Sequence, residues 1–240
     1  MLPALISVAH ELRTPLHGML GLVALLRATA LDAEQRGHVD ALDEAARALL
    51  ALADDALELA RLDAGRVEPR AVPCAPVAVA EGVVRTLAPL AAARALSLAV
   101  AAAPDVPAHA VLDAGRVRQV LLNLVGNAVR VTVRGGVTVR VRADGDGAVA
   151  WDVSDTGPGL TPGQQARLWA PWERLEGMPG HDEGGAGLGL GLARALALAM
   201  GGTLDVASAH GAGSTFTLRL PVHPPDAWLN PPAASADTRS

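Results

Sequence analysis

The residues that could carry out chemistry begin with a histidine near the N-terminus. His10 lies in the string SVAHELRTPLHG, where apolar residues recur at helical spacing. A lone helical histidine is usually structural, but Glu11 can accept a proton from this ring or orient it, leaving the other ring nitrogen as a nucleophile. Thr14 follows four residues later on the same face, where its hydroxyl can position a water molecule. Pro15 cannot donate to the Glu11 carbonyl, so we expect a helix kink beside the histidine.

Two asparagines in RQVLLNLVGNAVRVT form a second candidate. Asn123 and Asn127 are four residues apart on a predicted helix, so both amides project from one face toward one ligand. Two amides within an apolar helix are costly unless they have polar partners. A purely structural alternative is that they cap neighbouring loops.

An acidic residue followed by two glycines comes directly after the apolar stretch AVAWDVS. In DTGPGL, the carboxylate of Asp155 is a natural acceptor for an exocyclic amine, and Gly157 and Gly159 let the backbone approach a ligand closely. Turns after strands are often glycine-rich for structural reasons alone. Because this segment follows the asparagine pair in the sequence, a binding role is favoured for Asp155.

A run of glycines, GAGLGLGLARAL, opens a predicted helix at residues 185–196. Backbone N–H groups at the positive end of a helix can hold phosphate oxygens. A dinucleotide-binding fingerprint is the alternative, but it requires a preceding strand, and here a charged loop comes first. That loop, between Gly159 and Gly185, is too polar for a core and too rich in glycine for one stable conformation, which predicts a mobile lid.

The string HELRTP resembles the H-box of histidine kinases at every position. The resemblance implies that His10 is the phosphoacceptor and that Glu11 assists as a base. It also implies that Thr14 supports dephosphorylation of a partner response regulator. His17, where the family often has asparagine, is interpreted as having no special role.

The asparagine segment resembles the N-box of the ATP-binding superfamily that histidine kinases share with gyrase and mismatch-repair ATPases. This implies Asn127 as a ligand of Mg²⁺, Asn123 beside the phosphates and Arg130 as a cationic phosphate contact. The ATPases carry a water-activating glutamate at the position of Asn123. Because an amide cannot act as a general base, asparagine favours transfer to a protein nucleophile over hydrolysis. Val131 stands where the family usually has an aromatic residue that packs on adenine.

The remaining motifs follow in the order of the family. DTGPG resembles the G1 box, which implies that Asp155 bonds the adenine amino group. Trp169, Pro171 and Trp172 match the F-box pattern, with tryptophan in place of phenylalanine. Ala186 replaces the usual hydroxyl residue of the G2 box, and Gly191 should weaken its helix by about 1 kcal/mol. The other positions implied for ATP binding are Gly157 and Gly159 at the pocket, Arg174 in the lid, Gly185, Gly187, Leu188 and Gly189 around the triphosphate, and Thr215 through water.

The first two elements that must position these residues are helices. Helical spacing covers Leu2 to Leu26 and about Ala33 to Leu62, and Ala28 to Asp32 form a connection short enough for an antiparallel hairpin. Two helices cannot bury their apolar stripes alone. We therefore expect a homodimer in which two hairpins form a four-helix bundle.

Prolines at 69, 73 and 76 then mark a linker before a domain of mixed strands and helices, which predicts an α/β sandwich with its last strands adjacent. The resemblance implies the GHKL (Bergerat) type, so the fold class is α+β. We predict helices at 77–94, 113–130, 162–169 and 187–200, and strands at 96–102, 136–142, 147–154, 203–208 and 213–220. The predicted units are a hairpin at 1–66, a linker at 67–76, an ATP-binding domain at 77–222 and a disordered tail at 223–240.

Composition excludes several other classes. A net charge of −5 and few aromatic residues provide neither a cationic surface nor a stacking platform for nucleic acid. Cys74, the single cysteine, cannot form an intrachain disulfide. Arg94 and Arg194 interrupt the longest apolar runs, and the N-terminus lacks a basic leader, so we expect neither membrane contact nor a signal peptide. The expected location is the cytoplasm, as a soluble kinase or as the cytoplasmic part of a longer membrane receptor.

These motifs together predict an ATP- and Mg²⁺-dependent protein histidine kinase. It would phosphorylate His10 and pass the phosphoryl group to an aspartate in the receiver domain of a separate response regulator, for which it could also act as the phosphatase. One alternative is a nucleotide-binding pseudokinase scaffold, motivated by Val131 and Ala186. Others are a GHKL-type ATPase or a serine kinase acting on an anti-sigma partner, neither of which requires HELRTP.

Overall fold

In this computed structural model, the residues that the structure describes are 2–64, 70–145, 147–170, 173, 179 and 187–222. For residues 2–12 and 63 the description covers the backbone only. The predicted tail at 223–240, much of the predicted lid and the first part of the predicted linker lie outside the described residues.

The N-terminal unit is a hairpin of two long helices, α1 (Leu2–Arg27) and α2 (Ala33–Asp63). Helix α1 continues through Pro15. A reciprocal capping box starts α2, because the Asp32 carboxylate accepts a hydrogen bond from the Gln35 amide (2.8 Å) and the Gln35 side chain accepts one from the Asp32 amide (3.1 Å). The structure thus has the two helices that the apolar spacing predicts.

Small apolar side chains and ion pairs hold the hairpin together. The buried apolar residues of the two helices include Leu16, Val23 and Leu57. Asp43 is buried near the turn and accepts a hydrogen bond from Arg47 at 2.9 Å, while Arg27 lies 3.2 Å from its carboxylate. The hydrogen bond from Arg47 and the charge of Arg27 hold the pKa of Asp43 below its usual range. This acid therefore stays ionised although it is buried.

The second unit contains a five-stranded mixed sheet in the order β2-β4-β5-β7-β6. Strands β2 and β4 are parallel, and the other neighbours are antiparallel. A separate antiparallel pair joins β1 and β3. The strands are β1 (Val72–Cys74), β2 (Ser97–Ala102), β3 (Ala110–Leu112), β4 (Gly136–Ala143), β5 (Ala148–Asp155), β6 (Thr203–Ser208) and β7 (Ser214–Pro221), and the helices are α3 (Pro76–Ala93), α4 (Ala114–Val131), α5 (Pro162–Arg167) and α6 (Gly189–Ala199).

The sheet and its helices enclose one apolar core. Trp151 on β5 is fully buried, and its indole N–H donates to the Pro76 carbonyl at 3.3 Å. In β7, Phe216 and the following alternate leucines are buried, as the alternation in STFTLRLP requires. This layering is the α/β sandwich expected from the sequence.

Two strands were missing from the sequence interpretation. Strand β1 lies inside the predicted linker at 67–76, and β3 precedes α4. Proline at position 73 is compatible with β1 because the strand has a partner on one side only. The C-terminal part of the predicted linker is therefore built into the second domain.

Helix α3 is the one helix among the described residues that is long and apolar enough to cross a membrane. It packs on α4 and β2, carries Glu81 and Arg85, and buries Ala80 and Val83 in the core of the domain. One side of α3 therefore packs within this domain.

The end of α2 contacts the second domain. Leu59 and Leu62 pack against its apolar core. Glu58 forms an ion pair with Arg116 and accepts a hydrogen bond from Gln119, both in the first turns of α4. An ion pair, a hydrogen bond and the packing of two leucines therefore join the hairpin to the domain that carries the asparagine pair.

Candidate functional site

Helix α4 presents three polar side chains on one face. The Asp113 carboxylate caps its first turn by accepting from the Arg116 amide at 3.0 Å. Seven apolar residues of α4 are buried in the core, whereas Asn123, Asn127 and Arg130 are only half-buried. The spacing of three and four residues places these polar groups along one side of the helix.

Asn123 joins α4 to the start of α6. Its side-chain amide donates to the Gly189 carbonyl at 3.3 Å, and a Cβ added to Gly189 would lie 3.4 Å from the Asn123 oxygen. No side chain of the described residues caps α6. The N–H groups of its first turn therefore lie beside the asparagine face, in the arrangement that binds phosphate. Gly187, with φ of 73°, supplies the left-handed backbone that leads into this turn.

Arg130 and Asn127 are bonded to each other on the same face. The Arg130 guanidinium donates to the Asn127 side-chain oxygen at 3.0 Å. Burial, together with the nearby charge of Arg94, lowers the pKa of Arg130. The Asn127 oxygen already accepts a hydrogen bond from one cation, the Arg130 guanidinium, and it could also act as a ligand atom.

Asp155 ends β5 as a buried acid, with 8% of its surface exposed. Its carboxylate accepts the Gly157 amide at 2.8 Å and also a hydrogen bond from the Ser214 backbone. Burial raises the pKa of Asp155 despite these two hydrogen bonds, which act in the opposite direction. A buried, anchored carboxylate is suited to accept a hydrogen bond from a ligand amine.

The glycines of DTGPG bring this turn close to its neighbours. A Cβ on Gly157 would lie 2.8 Å from the Asp155 carboxylate and 3.5 Å from a Val131 methyl group. Gly159 has φ of 64°, and a Cβ there would lie 2.0 Å from the Ala209 carbonyl oxygen. The end of α4, the Asp155 turn and the β6–β7 loop therefore meet at one place.

The structure does not bring Thr215 to this place. The register pairs Ser154 with Thr215, and their hydroxyls are 2.9 Å apart on the sheet face opposite Asp155. Ser214 lies on the Asp155 side instead, with its hydroxyl 2.9 Å from that of Ser208. The strict alternation of buried residues in STFTLRLP is the signal that could have identified Ser214.

Arg94 is a further residue at this site that the sequence interpretation noted only as a charge within an apolar run. It follows the last residue of α3, and its guanidinium donates to the Arg130 carbonyl at 3.3 Å. No local pattern connects positions 36 residues apart. Only the packing of α3 against α4 places the two arginines together.

Two protein-family models match the chain. Residues 5–65 match the His Kinase A (phospho-acceptor) domain, and residues 112–224 match the family described as histidine kinase-, DNA gyrase B-, and HSP90-like ATPase. The chain belongs to the sensor histidine kinases. The family and the fold class predicted from the motifs are thereby confirmed.

Individual relatives agree with this assignment. The virulence sensor protein BvgS of Bordetella bronchiseptica is 36% identical in an alignment of 239 residues, which covers 97% of this chain and 19% of BvgS. The sensor protein TorS of Escherichia coli strain K12 is 35% identical over 220 residues, which are 91% of this chain and 24% of TorS. The chain thus spans about a fifth to a quarter of the length of these curated relatives.

Two solved structures are similar to this kinase. Full-length ShkA in complex with AMPPNP superposes with a TM-score of 0.80 and 37% identity, over 92% of this chain and 46% of that chain. The Acinetobacter baumannii histidine kinase AdeS gives a TM-score of 0.65 at 21% identity, over 90% of this chain and 98% of that one. The second likeness concerns the fold alone.

The H-box of this histidine kinase lies within α1. His10 and Glu11 are on the described backbone of this helix, and their side chains lie outside the description. Thr14 is exposed one helical turn after His10. The His17 ring nitrogen Nδ1 lies 2.8 Å from the Arg13 carbonyl one turn earlier, which is a local helix contact.

The base of the predicted lid is held by an aromatic residue. Trp169 packs edge-on against Phe216 with ring centroids 6.2 Å apart, and the Arg194 guanidinium lies 5.0 Å from the Trp169 ring centre. This part of the F-box anchors the chain onto α6 and β7. The remaining predicted lid and G2 positions lie outside the described residues; they are Pro171, Trp172, Arg174, Gly185 and Ala186.

The side chains of the kinase site fit a magnesium nucleotide. Among the described residues, no group of three or more His, Cys, Asp or Glu side chains could hold a metal ion by itself. Mg²⁺ typically keeps waters and binds few protein ligands together with substrate phosphates, so a single amide oxygen suffices. The Asn127 oxygen lies one turn from Asn123, which bonds the start of α6, and meets that requirement.

Proposed function

We propose that this chain is an ATP-dependent protein kinase that phosphorylates His10 and passes the phosphoryl group to an aspartate of a response regulator. The observation that carries the proposal is the contact of Asn123 with the start of α6, in a chain that also holds the HELRTP helix. The start of α6 with Asn123 would hold the phosphates, and the HELRTP helix would supply the nucleophile.

ATP would bind across the three elements that meet at the site. Asp155 accepts a hydrogen bond from the adenine amine, and Ser214 steadies the carboxylate through its backbone. Arg130 and the first turn of α6 hold the phosphates. Asn127 would hold Mg²⁺, which supplies positive charge that neutralises the phosphates when it is bound.

The transfer step exchanges one bond for another. A ring nitrogen of His10 attacks the γ-phosphorus, the new N–P bond forms, and the bond from that phosphorus to the β,γ-bridging oxygen breaks with ADP as the leaving group. Glu11 accepts the proton from the ring or orients it. Asn123 cannot activate water, so hydrolysis is not assisted from that position.

Transfer requires the two domains to approach each other. In the structure, the start of α4 is tied to α2 through Glu58 and Arg116. We infer that motion between the end of α2 and β1 brings the nucleotide to His10. The same hairpin surface, with Thr14 exposed on it, would dock the receiver domain of the response regulator and could assist removal of its phosphate.

The hairpin would work as a homodimer. Several large apolar side chains remain exposed on its two helices, and a second hairpin would cover them in a four-helix bundle. They are Met19, Leu22, Leu25, Leu26, Leu42 and Leu49. We place the kinase in the cytoplasm, where ATP and response regulators are available.

A nucleotide-binding scaffold is the second candidate, and Val131 is the observation that favours it. Its methyl group lies beside Gly157, so an aliphatic residue contacts the turn where adenine would bind. A scaffold would bind ATP without labelling His10. A GHKL-type ATPase would instead release phosphate without passing it to the histidine.

Incubation with γ-labelled ATP and Mg²⁺ separates these functions. Wild-type protein should acquire an acid-labile, base-stable label that is absent from His10→Gln and Asn127→Ala. His17→Gln is the matched control, because it removes another histidine from the same helix and should keep the label. Label that persists on His10→Gln would overturn the proposal, as would nucleotide binding without any labelling.

A further inference from the structure

A serine at the end of β6 lies on the face of the strand that packs on the core. In TLDVAS, Leu204 and Val206 pack in the core, and Ser208 is the next residue on that face, half-buried and paired in register with Ser214. A hydroxyl at such a position is costly unless it has hydrogen-bond partners. The partners of Ser208 therefore indicate why a polar residue stands here.

The Ser208 hydroxyl uses its full hydrogen-bonding capacity. It accepts from the Leu160 amide at 2.8 Å, donates to the Gly213 carbonyl at 2.9 Å and lies 2.9 Å from the Ser214 hydroxyl. Because a hydroxyl has one proton and two lone pairs, Ser214 is the donor in the last of these contacts. One side chain thus joins the end of the DTGPGL turn to the start of β7.

The two segments that Ser208 joins also enclose Asp155. Gly213 lies so close to it that an added Cβ would be 2.1 Å from the Asp155 backbone carbonyl oxygen. The next residue, Ser214, donates its backbone N–H to the Asp155 carboxylate, which also accepts the Gly157 amide at 2.8 Å. A shift of Gly213 and Ser214 would therefore disturb a hydrogen bond that orients the carboxylate. Ser208 can act on Asp155 through these two residues.

We propose that Ser208 is a positioning residue for base recognition, which holds Gly213 and Ser214 so that the Asp155 carboxylate is aimed at the exocyclic amine of adenine. The proposal rests on the proposed function, in which Asp155 accepts a hydrogen bond from that amine. The triphosphate would bind elsewhere, at Asn123 and the start of α6. Loss of the Ser208 hydroxyl should therefore reduce discrimination between bases more than it reduces binding of the triphosphate.

Titrations with ATP and inosine triphosphate test this role, because inosine carries a carbonyl oxygen in place of the adenine amine. Wild-type protein should prefer ATP, since a carboxylate cannot accept a hydrogen bond from that oxygen. Ser208→Ala should weaken ATP binding about tenfold, as expected when one hydrogen bond to a charged group is lost, and should change inosine triphosphate binding little. Ser208→Thr keeps the hydroxyl and should keep the preference for ATP.

Two further variants separate this role from a structural one. Thr203→Ala removes another hydroxyl of β6, which donates to the Asp205 carboxylate at 3.1 Å at an exposed position, and should leave both affinities unchanged. Ser208→Cys nearly keeps the side-chain volume but has a weakly hydrogen-bonding thiol, so it should also lose preference for ATP. Thermal unfolding reports whether each variant keeps its fold, and the cysteine variant decides the test if the alanine variant does not fold.

Equal weakening of ATP and inosine triphosphate in the folded Ser208 variants would overturn the inference, because it would show a structural role alone. An unchanged preference for ATP would overturn it as well. In either case wild-type ATP binding and His10 labelling stand, so the proposed function survives. If wild-type protein bound both nucleotides equally, the adenine role of Asp155 would fail and this inference with it, while labelling of His10 would still decide the kinase function.

Discussion

The Arg130 guanidinium donates a hydrogen bond of 3.0 Å to the side-chain oxygen of Asn127. That oxygen is the atom through which Asn127 would hold Mg²⁺. Arg130 and Mg²⁺ would therefore use the same oxygen of Asn127. On the proposed function, Arg130 turns to the phosphates of ATP and leaves this oxygen to the metal.

This relationship predicts that Asn127 contributes to ATP binding mainly when Mg²⁺ is present, whereas Arg130 contributes with and without the metal. Asn127→Ala should weaken ATP binding about tenfold in the presence of Mg²⁺ and little in EDTA, since the lost oxygen serves the metal. Arg130→Met should weaken it in both conditions, since the lost charge faces phosphate. Calorimetric titration with and without metal measures both. Identical behaviour of the two variants would contradict these roles.

The raised pKa of Asp155 predicts a pH dependence of stability. The folded state binds this proton more tightly than the unfolded chain does. Its contribution to the free energy of unfolding is therefore fully present below the unfolded pKa and is lost as pH rises through the folded pKa. Asp155→Asn should remove this dependence, so that wild type loses stability relative to the variant as pH rises. Urea unfolding at a series of pH values measures the difference.

The affinity for ATP should also depend on the ionisation of Asp155, but it should rise with pH, whereas the contribution of this residue to stability falls. The ionised carboxylate is the better acceptor for the adenine amine, so ATP affinity should fall as pH is lowered through the raised pKa. The Asp155→Asn variant should bind more weakly but with a flatter pH profile. Asp105→Asn, at an exposed loop position, is the control and should retain the wild-type profile. A wild-type profile in Asp155→Asn would argue against its role at adenine.

Gly159 should tolerate no side chain. Alanine there combines a left-handed backbone with a Cβ 2.0 Å from the Ala209 carbonyl, so the turn or the β6–β7 loop must move. We expect Gly159→Ala to lower the free energy of unfolding by about 3 kcal/mol. Gly163→Ala, where a Cβ would have no neighbour within 4 Å, should cost little. Chemical denaturation compares the pair, and equal effects would contradict the geometry.

The exposed leucines of the hairpin predict that a charged substitution among them weakens the dimer. Leu22 is 62% exposed in the single chain, so Leu22→Glu places a charge where the second hairpin should pack. Dimer affinity should fall at least about tenfold, since a buried leucine contributes about 1.5–3 kcal/mol. Sedimentation at several concentrations measures this. Val133→Glu, at a position 66% exposed in the second domain, should leave the dimer intact.

The ion pair between Glu58 and Arg116 predicts a restraint on domain motion. Glu58→Arg or Arg116→Glu should loosen the contact of α2 with α4, because each leaves two like charges facing each other. The combined exchange should restore it. Hydrogen exchange in the last turns of α2 should rise in the single variants and return toward wild type in the double one. Glu81→Gln, at an exposed position of α3, should change nothing there, and equal exchange in all variants would refute the restraint.

The sequence by itself determined the order and type of most elements. Helical spacing follows from hydrogen bonds between near neighbours and alternation follows from the extended backbone, so both are local, and α4 with Asn123 and Asn127 on one face could be predicted. The motif order also predicted the family. The short strands β1 and β3 escaped prediction because three residues show no period, and a proline interrupts one of them.

Only the tertiary structure decided which distant groups meet. Asn123 reaches Gly189 across 66 positions, and Arg94 reaches Arg130 across 36. The register of β7 against β5 sends Thr215 away from Asp155 and leaves Ser214 beside it. A shift by one residue would reverse the two faces of a strand, and that shift is opposed by burial of Phe216 and its neighbours in the core rather than by any local preference.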